Sequence, residues 1–233
     1  CAMAVAIVAA LPVAAASEGY RHLSLDGRLV KWRQSAPDAP VQLTVALATR
    51  PSFDEEAVNC RRVGPVGDLL ERSGLAMADF RLAIDVALKR WEAAGNLVFV
   101  ITDDEDAADI LIGGQLDPDG IAFANLTLNE TRDGPFQLIE RSRVCLNPMR
   151  KWKVGFDGKL DVFDLVHTMT HEIGHAIGLD HPAGRDHVMS VRYRETRSRL
   201  SAGDRLGVQR LYGRPAGDGP RHWAVSVRLG ATR

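Results

Sequence analysis

The chain has 233 residues, of which 45% are apolar and 25% charged, with a formal net charge of −1. That apolar content can bury one sizeable core, and the length suits one domain or at most two. The near-neutral balance offers no basic field, which argues against nucleic acid as a partner and against stable association with an anionic membrane.

In chain order, Ala2 to Ala16 is almost unbroken apolar and small, ending in Ala14-Ala15-Ala16. This reads as the hydrophobic core and A-x-A cleavage site of a secretory signal, truncated at its start because the chain opens on Cys1. It is shorter than the ~20 residues of a spanning helix, so a secreted or periplasmic location is expected rather than an anchor. The expected division is therefore a signal peptide over 1–16, an N-terminal extension over 17–40, a folded domain over 41–213 and a tail over 214–233.

Within the domain, Val41 to Leu47 alternates as a strand, and the Pro- and Gly-containing stretch from Pro51 to Gly67 reads as a long connection. Met77 to Ala94 places Phe80, Ile84, Ala87, Leu88 and Trp91 at helical spacing. Leu97 to Thr102 and Ala108 to Gly113 are short strands rich in β-branched residues, separated by the acidic turn Asp103 to Asp106. Ile121 to Leu128 and Arg143 to Leu146 read as further strands. Leu160 to Gly178 and Ala202 to Leu211 read as helices. The pattern predicts an α+β fold, a mixed sheet packed with two long helices above a more irregular part and a last helix. Asp117-Pro118-Asp119-Gly120 and Asp157-Gly158 are candidate Ca2+ loops, but the full acidic spacing is missing and plain turns are expected.

The run from His171 to His181, H-E-I-G-H-A-I-G-L-D-H, carries the chemistry. On a helix, residues four apart share a face, so His171 and His175 present two imidazoles to one ion. Gly178 lets the chain leave the helix in a left-handed conformation and swing His181 back as a third ligand. Three histidines leave one tetrahedral corner open, the mark of a catalytic rather than a structural zinc site. Glu172, beside the first ligand, is a base rather than a ligand, placed to take a proton from zinc-bound water as it attacks a carbonyl. With the signal removed, Cys60 and Cys145 remain as an even pair, which in an exported protein predicts one disulfide. A free buried pair and a zinc-blocking Cys60 are the alternatives.

With Met189 eight residues after His181, Tyr193 four residues further on, and Ser201-Ala202-Gly203-Asp204 running to Leu211-Tyr212-Gly213, the C-terminal half resembles the metzincin zinc peptidases. Within that clan it is closest to the matrixin, or matrix metalloproteinase, family as a minimal catalytic domain of bacterial type. Trp91 and Ala108 to Ile112 look like the first helix and third strand of that fold. The resemblance implies the metzincin, or zincin-like, fold with an active-site helix, a second long helix and a C-terminal helix. It also implies a methionine turn in which Met189 floors the zinc site, and a substrate pocket lined by His167, Val191 and Tyr193. Val191 stands where matrixins usually carry proline, and Pro182 follows the third histidine as in serralysins. No histidine occurs between His22 and His167, so the loop that holds a second, structural zinc in animal matrixins is absent and one Zn2+ is predicted. Ca2+ is an open possibility, since matrixins bind it near their sheet.

These readings predict a secreted monomer that hydrolyses protein or peptide substrates through zinc-activated water with Glu172 as general base. A secreted zinc-binding or adhesion module without turnover is the competing class, though metal binding alone does not need Glu172. A zinc amidase acting on a non-peptide amide shares the same chemistry and stays open. His187 and His22 read as solvated loop residues. Ile121 to Ala124 is the candidate strand for pairing with an extended substrate.

Overall fold

The computed structural model describes residues 19–36 and 38–215. The stretch expected as a signal peptide and most of the C-terminal tail lie outside these residues. Among the described residues no helix is long and apolar enough to cross a membrane.

The first three strands, β1 (Arg21–His22), β2 (Ser24–Leu25) and β3 (Arg28–Lys31), correct the expected boundary at residue 41. β3 runs parallel to the start of a later strand in the main sheet, with Leu29 opposite Phe136 and Lys31 opposite Leu138. The segment expected to be an extension thus pairs into the main sheet. Its pairing is entirely non-local, and two- to four-residue strands carry too little periodicity to be seen in sequence.

Then come β4 (Val41–Leu47), β5 (Ser52–Phe53), β6 (Arg62–Gly64), α1 (Gly67–Ser73), α2 (Met77–Glu92), β7 (Leu97–Ile101) and β8 (Ile110–Gln115). The expected long connection is broken by the small β5–β6 pair and followed by the short helix α1, which the sequence reading missed. In α2 the apolar positions Phe80, Ala83, Ile84, Ala87, Leu88 and Trp91 are all buried, as the 3.6-residue period demands. Its first turn is held by Asp79, whose carboxylate accepts the Ala76 N–H at 2.9 Å. That bond satisfies one of the otherwise orphaned donors around a helix start.

The sheet is completed by a long hairpin, β9 (Ala122–Asp133) and β10 (Phe136–Leu146). Both strands extend well beyond the short segments expected from sequence. The strand order is β2-β3-β10-β8-β4-β7. β3 pairs with the start of β10 and β8 with its end, both parallel, while β9 runs antiparallel along the whole of β10. Among the described residues β9 pairs with no other strand, so it is an edge with unpaired backbone groups.

Below the sheet, β11 (Lys151–Lys153) pairs with β12 (Val162–Asp164), and α3 (Leu165–Ala176), β13 (Leu179–Asp180) and α4 (Ala202–Tyr212) follow. The third helix starts at Leu165 rather than Leu160, because Asp164 caps it: one carboxylate oxygen accepts the His167 N–H at 2.6 Å and the other the Gly155 N–H at 2.6 Å. Its far end is capped by side chains distant in sequence. The Trp32 indole donates to the Ala176 carbonyl at 2.9 Å and the Tyr212 hydroxyl to the Ile177 carbonyl at 2.8 Å, satisfying acceptors that a helix leaves open at its C-terminus. α2 and α3 are locked by the Trp91 indole donating to the Thr170 carbonyl at 2.8 Å.

Candidate active site

The site is assembled where α3 ends. His171 and His175 lie on one face of α3, and the chain reverses at Gly178, whose φ is +94°. A Cβ there would also stand 2.7 Å from the Val30 carbonyl oxygen, so both conformation and space require glycine. The reversal carries His181 back to the helix. The three Nε2 atoms then lie 3.1 Å from one another in each pair.

The His171–His175 contact is not a hydrogen bond between the rings. The Nδ1 of His171 donates to the Val188 carbonyl at 2.7 Å and the Nδ1 of His175 to the Leu179 carbonyl at 2.8 Å. Each ring therefore keeps its hydrogen on Nδ1 and turns a lone pair inward from Nε2. Tetrahedral zinc with Zn–N bonds of about 2.0–2.1 Å sets its nitrogens roughly 3.3 Å apart, close to this spacing. Among the described residues these histidines form the one group of three or more His, Cys, Asp or Glu side chains able to hold a metal. Burial pushes the His175 imidazolium down to about 4 and that of His171 well below its ordinary value. Both rings are thus neutral at pH 7, as metal ligation needs.

Glu172 is buried in the same cleft, a cavity of about 460 Å³ whose walls include the three histidines. Burial alone pushes its carboxyl up to about 8, and a dication at the histidines would draw it down again. His167, Val191 and Tyr193 line the same cleft, together with Gly120 to Ala124 at and just before the start of β9. Val191 is largely exposed. The Tyr193 hydroxyl is already engaged, donating to Glu195 at 2.8 Å and accepting from the Asp164 N–H at 2.9 Å, so the ring serves as wall rather than as donor.

The profile of the matrixin family matches residues 69–213. The chain belongs to the matrixin family. It is 31% identical over 149 residues to metalloendoproteinase 4-MMP of Arabidopsis thaliana, an alignment covering 60% of this chain and 42% of that protein. Metalloendoproteinase 1-MMP of the same plant is 31% identical over 152 residues, covering 60% of this chain and 39% of that protein. Stromelysin-2 of Rattus norvegicus is 30% identical over 154 residues, covering 58% and 29%. The chain spans less than half the length of these relatives.

In this matrixin the turn at Met189 is held from α4. Met189 is buried, and Asp204 accepts the Val188 N–H at 3.0 Å, the Met189 N–H at 3.3 Å and the Ser201 N–H at 2.8 Å. The spacing Ser201-x-x-Asp204 signals a capping box at the sequence level. That the same carboxylate also holds the methionine turn was not readable there.

The N-terminal strands supply the other missed contribution. β1 pairs antiparallel with β13, Arg21 opposite Asp180 and His22 opposite Leu179. Arg21 pairs with Asp180 at 3.0 Å, Asp180 accepts the His181 N–H at 2.7 Å, and the Leu23 N–H reaches the Gly178 carbonyl at 2.8 Å. The turn that delivers the third histidine is therefore clamped by residues some 160 positions earlier. His22, expected to be solvated, lies half-buried with Nε2 3.0 Å from the Gly207 carbonyl. His187, also expected in solvent, lies with Nδ1 2.8 Å from the Ser201 hydroxyl.

Cys60 and Cys145 are bonded to each other, which removes Cys60 as a zinc-blocking thiol. The bond ties the loop through Asn59, a cleft residue, to β10. Asn125 holds the same loop, its side-chain oxygen accepting the Val58 and Asn59 N–H groups at 3.0 and 3.3 Å. Of the candidate Ca2+ loops, Asp117 pairs with Arg62 at 3.2 Å, and Asp157 pairs with Lys153 and lies 3.8 Å from Lys159. Those carboxylates face cationic side chains.

Proposed function

We propose that this matrixin is an extracytoplasmic zinc-dependent endopeptidase with Glu172 as general base. The observation that carries the reading is the convergence of the Nε2 atoms of His171, His175 and His181 beside a buried carboxylate in one cleft. Zinc bound by His171, His175 and His181 supplies a Lewis acid for the scissile carbonyl and a water of near-neutral pKa.

The chain's own groups do the rest. Glu172 takes the proton of the attacking water and returns it to the departing amine nitrogen, so the peptide C–N bond breaks as a neutral amine leaves. An extended substrate adds to the free edge of β9 at Ala122 to Ala124 through backbone hydrogen bonds, which is why a peptide rather than a compact amide suits the cleft. The side chain following the scissile bond enters the pocket of His167, Val191 and Tyr193. Met189 stays beneath the imidazoles and does not touch substrate.

The apolar run at 2–16 supports export, and a disulfide suits an oxidising compartment. The deciding experiment is cleavage of a mixed peptide library by the zinc-loaded chain beside Glu172→Ala of equal zinc content. Cleavage lost only in the variant supports the peptidase. No cleavage by either protein moves the site to metal binding or to a non-peptide amide.

A further inference from the structure

One polar group in the lining of the side-chain pocket is the His167 imidazole. The His167 Nδ1 lies 3.3 Å from the Arg197 carbonyl, which can only accept, so Nδ1 carries a hydrogen. The ring meets Tyr193 edge-on with centroids 5.3 Å apart and Phe156 likewise at 5.8 Å. Both neighbours are themselves fixed. Tyr193 donates to Glu195, and the other carboxylate oxygen of Glu195 accepts the Asp157 and Gly158 N–H groups at 2.8 and 2.5 Å, pinning the turn that presents Phe156.

Burial lowers the His167 pKa, and this outweighs the Arg197 carbonyl and the Asp164 carboxylate, which raise it. The ring is then neutral at pH 7, with Nδ1 protonated and a lone pair on Nε2. Among the described residues that Nε2 has no hydrogen-bond partner, and it is not one of the fully buried polar atoms. The ring that carries it lines the cleft. A hydrocarbon side chain seated there strips water from an acceptor and gives nothing back, whereas a donor replaces the water. A carboxylate turns lone pairs toward a lone pair.

We infer that His167 makes this pocket select a carboxamide side chain on the residue following the scissile bond, in preference to a hydrocarbon or carboxylate of the same size. The inference rests on the peptidase reading and adds the substrate class. It concerns specificity, since His167 touches the substrate side chain and not the reacting atoms.

The test uses the zinc-loaded full chain and peptides identical except at that one residue, comparing glutamine with methionine and glutamate, and asparagine with leucine and aspartate. Glutamine is expected to exceed methionine in kcat/KM by about three- to tenfold, with glutamate lowest, and His167→Leu is expected to reverse the glutamine and methionine order. His167→Gln retains an acceptor and is expected to keep the original order, which leaves a second variant should His167→Leu fold poorly. Methionine equal to or above glutamine in the unaltered chain overturns the inference, as does a glutamine preference that survives His167→Leu. Calorimetric binding of the same peptides to zinc-loaded Glu172→Ala separates the two readings. Tighter glutamine binding without turnover in the unaltered chain removes the peptidase and keeps the pocket, while equal binding removes the pocket.

Discussion

A Cβ built on Gly174 would stand 2.2 Å from the Met189 Sδ and 2.9 Å from Trp91. The helix that carries two of the histidines thus rests directly on the methionine turn, at the one position in H-E-I-G-H where no side chain fits. The contact sets how far α3 sinks toward the turn and so where His171 and His175 stand. Gly174→Ala is expected to destabilise the fold by about 1–3 kcal/mol through overpacking, despite the better helix propensity of alanine. Thermal unfolding of the zinc-loaded and chelated forms checks this, and an unchanged or higher Tm in both would refute it.

Asp204 takes three backbone N–H groups with one buried carboxylate, two of them on the methionine turn. Asp204→Ala leaves those donors buried and unpaired, an expected loss of about 2–4 kcal/mol. Zinc retention should fall with it, because Val188 also provides the carbonyl that orients His171. Chelator competition is the measurement. A variant that is less stable but holds zinc as tightly as before would show that the turn does not position the ligand.

Glu172 should impose a pH dependence on the metal-free protein. Its carboxyl is pushed up to about 8 from an ordinary 4.5, so between those values the folded state holds more protons than the unfolded state and stability falls as pH rises. His175, lowered to about 4 from 6.5, acts oppositely and only below pH 6.5, where the unfolded state holds more protons. Between pH 6.5 and 8 the Glu172 effect stands alone of the two. The chelated protein is expected to lose stability across that window, and Glu172→Gln or zinc loading to flatten the loss. Denaturant titrations at pH 6.5 and 8 read it directly, and equal slopes in the unaltered chain and Glu172→Gln would count against it.

The clamp on the third histidine separates charge from backbone pairing. The Arg21 side chain is 66% exposed, so Arg21→Ala should cost under about 1 kcal/mol. Replacing Gly203 by valine is expected to cost far more, since even a Cβ there would lie 1.8 Å from the Gly19 carbonyl oxygen and would lift the N-terminal segment off α4. Zinc affinity should follow the same order. If Arg21→Ala and Gly203→Val weaken zinc binding equally, the ion pair rather than the strand pairing holds the turn.

What the sequence alone determined is local. The i, i+4 histidines, the neighbouring glutamate, the left-handed Gly178 and the periodic apolar face of α2 are each set within a few residues, where helix geometry leaves one solution. Tertiary structure decided everything that joins distant segments. β1 to β3 carry no readable period, yet they enter the sheet and brace the turn before His181. The carbonyls at the end of α3 are satisfied by Trp32 and Tyr212, and the His167 ring is held in the cleft lining because Arg197, Tyr193 and Phe156 close around it from other elements. Pattern in a sequence records how each segment meets the core, whereas the partner it meets depends on a topology that short strands and single side chains do not encode locally.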